Sequence, residues 1–259
     1  MCCFSQPIER VEQTRIYARV DGPRQLVVYE MRLVAAGELA MVLPIPIAQE
    51  AGEDAITFVD LSSSPAFFRA LEYAFRPATD EDSFGAPQPR PASAPNLAVH
   101  QVGAFEASFV PRADDFDRLD PRFAIPSALW SRVPSVSEFG FVVFKLRASD
   151  APRGVLDRVL GRPAPARTFH PMAFFFPRRD PSRVFFPTLH VHDRSAHERA
   201  EFDHVLYAQS EACPSGWETS HYAFNEGMSG AGRELVRASA GHRVTMRGSL
   251  PNADVWIEG

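Results

Sequence analysis

The sequence predicts an α+β fold, predominantly antiparallel β, with two similar β-rich halves and few short helices. Three observations carry this prediction. Extended runs rich in Val, Ile, Phe and Tyr recur along the chain, separated by Gly- and Pro-containing turns. The 259 residues include 21 Phe and 23 Pro, which favours a thick aromatic core and rigid connections over long helices. The clearest helical period is confined to one short stretch, residues 62–75.

The elements follow in order. "TRIYARV" reads as a strand, "DGPR" as a turn and "QLVVYEMRLV" as its partner, because Gly supplies a positive φ and Pro fixes its own. "ELAMVLPIPI" is a third extended run. Pro44 and Pro46 remove two ladder donors, so its end belongs at a sheet edge or leaves the sheet. "AITFVDL" is a fourth. In "SSSPAFFRALEYAF", Ser64 is the expected N-cap, Pro65 the first helical residue, and Phe68, Leu71 and Phe75 the buried face. Residues 1–75 thus form a β-rich half with one helix, and residues 76–97 a loop or linker with five Pro. A second β-rich half spans residues 98–259. It opens with "AVHQVGAFEASFV", a short helical piece "RADDFDRL" and "FGFVVFKLR", with a further run around "GVLDRVL". "MAFFF", a charged turn at 178–183, "VFFPTLHVHD", "FDHVLYAQS", "HRVTMRG" and "ADVWIEG" complete it.

Composition excludes some partners. Hydrophobic residues make up 45% and charged residues 23%, ordinary values for a globular protein. A net charge of −5 without a basic cluster argues against nucleic acid. No run approaches the ~18 apolar residues of a membrane span, and "MCCFSQPIERVEQTR" lacks the apolar core of a signal peptide. Three Cys, two of them adjacent, are not a disulfide framework, so the expected compartment is the cytoplasm.

Two features bear chemistry. Four of the eight His lie between positions 190 and 204. His190 and His192, two apart on a predicted strand, share a face and could supply two imidazoles to one metal ion. Asp193, His197, Glu198 or His204 could close such a site, and His221 would make a three-nitrogen set suited to Zn, Cu or Fe. The other feature is "MCCFS". Trimming of the initiator Met would leave Cys2 with a thiol and a free amine on one residue, able to ligate a metal with Cys3, or to act as a nucleophile with its own amine as base. The leading expectation is a metal-binding protein, a redox or hydrolytic metalloenzyme with a small-molecule substrate. It would use His190, His192, His221, Cys2 and Cys3, with Cys2 in the catalytic role. The alternatives are an N-terminal Cys amidohydrolase, and a non-catalytic module recruiting a partner through residues 76–97.

Three resemblances accompany this reading. "HVHDRSAHE" with "CPSGWETSHYAFN" is similar to the two metal motifs of cupin barrels, which would place ligands or motif positions at His190, His192, Glu198, Pro214, Gly216, His221 and Asn225. The spacings differ from the cupin pattern, and its first-motif Gly is missing. The start of the chain, with Arg15, Arg19 and Asp21 downstream, loosely resembles choloylglycine and penicillin acylases. The order of "CCF", "RQLVVYEM", "LAMVLPIPI", "VGAFEASFV", "FVVFKL", "HPMAFFF", "VFFPTLHVHD" and "FDHVLYA" resembles an uncharacterised bacterial family, a domain of unknown function. That family carries Cys-Gly-Phe near its N-terminus and a Val-Pro-Val-Pro-like strand. The resemblance spans residues 2–210, puts Cys2 on the family's Cys and Cys3 on its Gly, and implies a fold but no reaction. Members tend to carry a leader before the Cys and lack the His pair found here.

Overall fold

A computed structural model describes residues 2–5, 8–34, 39–48, 50–77, 100–103, 105–119, 138–146, 167–191 and 197–259. Among them the fold is α+β and mostly antiparallel β. With strands numbered along the chain, one sheet runs β12 (His190–Val191), β1 (Cys2–Phe4), β4 (Leu39–Ile45), β8 (Gly140–Leu146), β7 (Phe105–Val110), β6 (His100–Val102). The second runs β14 (Glu218–Thr219), β15 (His242–Pro251), β13 (Arg199–Gln209), β2 (Arg10–Asp21), β3 (Arg24–Val34), β10 (Met172–Pro177), β5 (Thr57–Asp60), with β9 (Arg167–Thr168) also on β3. A separate ribbon pairs β11 (Arg183–Phe186) with β16 (Val255–Glu258). Each large sheet interleaves strands from residues 1–75 with strands from residues 98–259.

The alternation of side chains along these strands builds three apolar layers. The main core lies between the sheets: Ile16, Val27 and Tyr29 of the second sheet meet Met41, Leu43, Phe105 and Phe144 of the first. Burying side chains of this size contributes roughly 1.5–3 kcal/mol each, which makes this layer the principal source of stability. Cys3, Val42, Val143 and Val191 pack on the outer face of the first sheet with Phe116 of a short 3-10 helix, Ala113–Arg118. Tyr17, Leu26, Val28 and Tyr207 line the outer face of the second. They are covered by α1 (Phe67–Tyr73), α2 (Gly230–Leu235) and Phe224.

The "DGPR" turn joins β2 to β3 as its residues predict, with Gly22 at φ 57. The end of the "LPIPI" run lies as its prolines require: β4 sits between β1 and β8, but β1 reaches only Met41 and Val42, so Pro44 has β8 alone beside it and Pro46 falls outside the strand. One expectation is corrected. Ser64 is not the cap of the helix, which begins at Phe67 with Ala66 at the N-cap. Its hydroxyl instead donates to the Ser229 carbonyl (3.2 Å) and accepts from the Gly232 N–H (3.1 Å), which ties α2 to the start of α1. The glycines of "SGAGRE" permit that approach, since a Cβ on Gly232 would lie 3.1 Å from the Phe67 ring. The segment around "GVLDRVL" lies outside the described residues.

Candidate functional site

β13 runs beside β2 in parallel, with His204 opposite Thr14, and both residues are buried. Leu206 and Ala208, two and four residues on, belong to the inter-sheet core, so His204 faces the first sheet. There it meets His190 of β12. The two Nε2 atoms are 3.1 Å apart, within hydrogen-bond distance, so one imidazole donates and the other accepts. Phe202 supports the contact: its ring stacks on His190 at 4.5 Å and 27° and lies 5.1 Å from the ring of His204. The pair is thus a polar bridge between two sheets, walled by an aromatic ring.

The short β12 is held on both sides. On one, β1 runs parallel to it with Cys2 in register with His190 and Cys3 with Val191. On the other, side chains replace a strand. The Asn252 amide accepts from the His190 N–H (2.7 Å) and donates to the His190 carbonyl (2.8 Å). Asp254 accepts from the Leu189 N–H at 2.8 Å. Thr188 donates to the Ala253 carbonyl (2.8 Å) and accepts from the Val255 N–H (2.9 Å).

β2 is bulged next to His204. Its register with β3 shifts between Glu12 and Arg15, and Gln13 adopts φ 50, a left-handed conformation unusual for Gln. The Gln13 N–H donates to Asp203 at 3.1 Å, which fixes the bulge to the residue before His204.

The sequence-predicted residues separate. Cys2 and His190 are brought together along the backbone, as adjacent strands in register. Cys3 is buried in the outer apolar cluster of its sheet. His192 lies outside the described residues. His221 is exposed and does not join His190: its N–H donates to the Ala74 carbonyl at 2.8 Å, just beyond α1. Among the described residues no three His, Cys, Asp or Glu side chains gather into a metal-binding group. Among the described residues the histidines that meet are His190 and His204, because the strand carrying His204 lies across the intersheet gap from His190. Of the cupin-like positions, Glu198 is exposed and Gly216 sits in a turn at φ 79. Exposed Cys213 is within 3.4 Å of the Trp217 carbonyl in the same turn.

The residues expected to assist an N-terminal nucleophile are engaged in the second sheet. Arg19 donates to the Leu235 carbonyl and to Asp21, both at 2.7 Å, and Arg15 pairs with Glu30 at 3.3 Å. Burial pushes the Glu30 carboxyl up to about 7, against the attraction and hydrogen bond of Arg15. The charged turn at 178–183 is closed by Asp180, which accepts from Ser182 and Arg183 and whose carboxyl is held at about 2 by these bonds.

No family model and no curated protein matches the chain. Two solved structures align with nearly all of it at low similarity. Baculovirus P35 has 11% identity and a TM-score of 0.45 over 96% of each chain. A caspase-8/P35 complex has 10% identity and a TM-score of 0.41 over 95% of this chain and 96% of that one. Similarity this remote assigns no activity and no partner. No helix among the described residues is long and apolar enough to cross a membrane.

Sequence reasoning placed His204 among several residues able to close a site with His190. It missed Asn252. The signal for it is slight, a single Asn in "LPNADVWIEG", and its meaning depends on which strand lies opposite.

Proposed function

We propose that this protein binds a transition-metal ion between its two sheets, with His190 and His204 as nitrogen donors and Cys2 as the third ligand. The separation of the two Nε2 atoms, 3.1 Å, carries the reading. Both can lie ~2.0–2.1 Å from one ion, the usual imidazole–metal distance, once the rings turn so that the two Nε2 lone pairs converge on it. In the metal-free protein the same two nitrogens share a proton, which the ion would displace. The register of Cys2 with His190 supports the third ligand. Two imidazoles and a thiolate form a soft-to-borderline set that suits Cu(I) or Zn(II). Metal analysis of protein purified without a His tag tests the reading, beside His190→Ala and His204→Ala. About one equivalent in wild type and loss in both variants is expected. Wild type that fails to retain Zn(II) or Cu(I) after loading would overturn it.

A second reading, a module that presents residues 76–97 to a protein partner, is favoured by the way α1 ends. Its terminal turn is pinned by N–H donations from His221 (2.8 Å) and Tyr222 (3.1 Å) to Ala74, and by stacking of Tyr73 on Tyr222 at 5.9 Å. Phe75 packs between Tyr207 and Phe224, at 6.0 and 5.8 Å. A Pro-rich segment with little to bury thus follows a fixed root, as recognition loops do on rigid scaffolds. Replacing residues 78–99 with a Gly-Ser linker should preserve thermal stability and abolish co-purification of a partner. Unchanged co-purification would remove this reading.

A further inference from the structure

Asn252 hydrogen-bonds to the His190 neighbourhood through both its side chain and its backbone. Its side-chain amide satisfies both backbone groups of His190, at 2.7 and 2.8 Å, in the manner of a neighbouring strand residue. The same Nδ2 donates to the His197 carbonyl at 2.9 Å, and the Asn252 N–H donates to the Glu198 carbonyl at 2.9 Å. One residue therefore joins β12 to the start of β13, the two strands that carry His190 and His204. On the side of His190 away from β1 it is this amide, and not a ladder partner, that meets the backbone of β12. Small errors there matter, because a ligand nitrogen must sit within a few tenths of an ångström of its place.

We infer that Asn252 is the positioning residue of the His190–His204 pair, setting the distance between the imidazoles through the backbone of His190. This rests on the metal reading for its consequence, but not for its geometry. Removal of the amide takes away these two bonds to His190 and the one to the His197 carbonyl. Outer partners that orient metal ligands are commonly worth ten- to a hundredfold in affinity.

The test uses the full chain with Co(II) as a spectroscopic probe of the site, and 15N NMR of the imidazoles without metal. Asn252→Ala should weaken Co(II) binding about tenfold or more and change its visible bands. Asn252→Asp, which keeps the acceptor for the His190 N–H, should fall between wild type and Asn252→Ala. Without metal, through-hydrogen-bond 15N–15N coupling between the two Nε2 atoms should be seen in wild type and be lost in Asn252→Ala. That coupling persisting in Asn252→Ala would overturn the inference whether or not metal binds. Coupling lost in Asn252→Ala, in a wild type that binds no Co(II), would support the inference and remove the metal reading. Should Asn252→Ala fail to fold, Asn252→Asp carries the same comparison, and wild-type coupling in it together with wild-type Co(II) affinity would overturn the inference.

Discussion

His190 and His204 meet Nε2 to Nε2 at 3.1 Å, although one belongs to the six-stranded sheet and the other to the eight-stranded sheet. A proton and a metal ion would compete for this position. Zn(II) affinity should therefore fall steeply as pH drops below the ordinary imidazole range, and binding should release at least one proton. Calorimetry in buffers of different ionisation enthalpy measures that release. Affinity independent of pH between 5.5 and 8 would be incompatible with imidazole ligands.

The two adjacent cysteines should behave differently. Cys3 is buried with Val42, Val143 and Val191, so Cys3→Ser should cost about 1–3 kcal/mol by placing a hydroxyl in that layer. Metal binding should be unchanged in Cys3→Ser and weakened in Cys2→Ser. Equal weakening in both would assign Cys3 to the site.

Glu30 gives the stability a pH dependence. Its carboxyl is raised from 4.5 to about 7 by burial, so folding favours the protonated form. The contribution is fully present below pH 4.5 and is lost as pH rises through 7. Urea denaturation should show wild type losing up to about 3 kcal/mol across this window relative to Glu30→Gln. The same pH slope in both proteins would show that Glu30 is not the source.

Gly241 is required by packing. A Cβ there would lie 2.3 Å from the ring of Phe224, which is fully buried. The ring cannot retreat, because Tyr17, Phe75 and Tyr207 surround it at 6.2, 5.8 and 6.3 Å. Gly241→Ala should destabilise the protein by about 1–3 kcal/mol in thermal or chemical denaturation.

The bulge at Gln13 predicts the opposite sign. Gln13 is exposed and held at φ 50, where a Cβ is unfavourable by roughly 1–2 kcal/mol. Gln13→Gly relieves this and loses part of the gain to chain entropy, leaving about 0.5 kcal/mol of stabilisation. A destabilised variant would mean that the Gln side chain itself supports the bulge.

The sequence by itself determined the class of the fold, most of its strands, the "DGPR" hairpin and the presence of a helix near residues 67–73. These depend on side-chain alternation, turn chemistry and helical period, which act between residues close in the chain. It also singled out Cys2 and the 190–204 histidines as candidates for a site. Only the tertiary structure decided which of them meet. Strand pairing between distant segments set Cys2 beside His190. Stacking of the two sheets brought His204 to the same place and left His221 at the end of α1. A histidine two residues from another on a strand looks the same whichever sheet it faces. Likewise, Ser64 has the local signature of a helix cap, but its hydroxyl goes to α2 because that helix, far along the chain, packs against it. Asn252 meets His190 only because its amide lies beside β12 on the side away from β1.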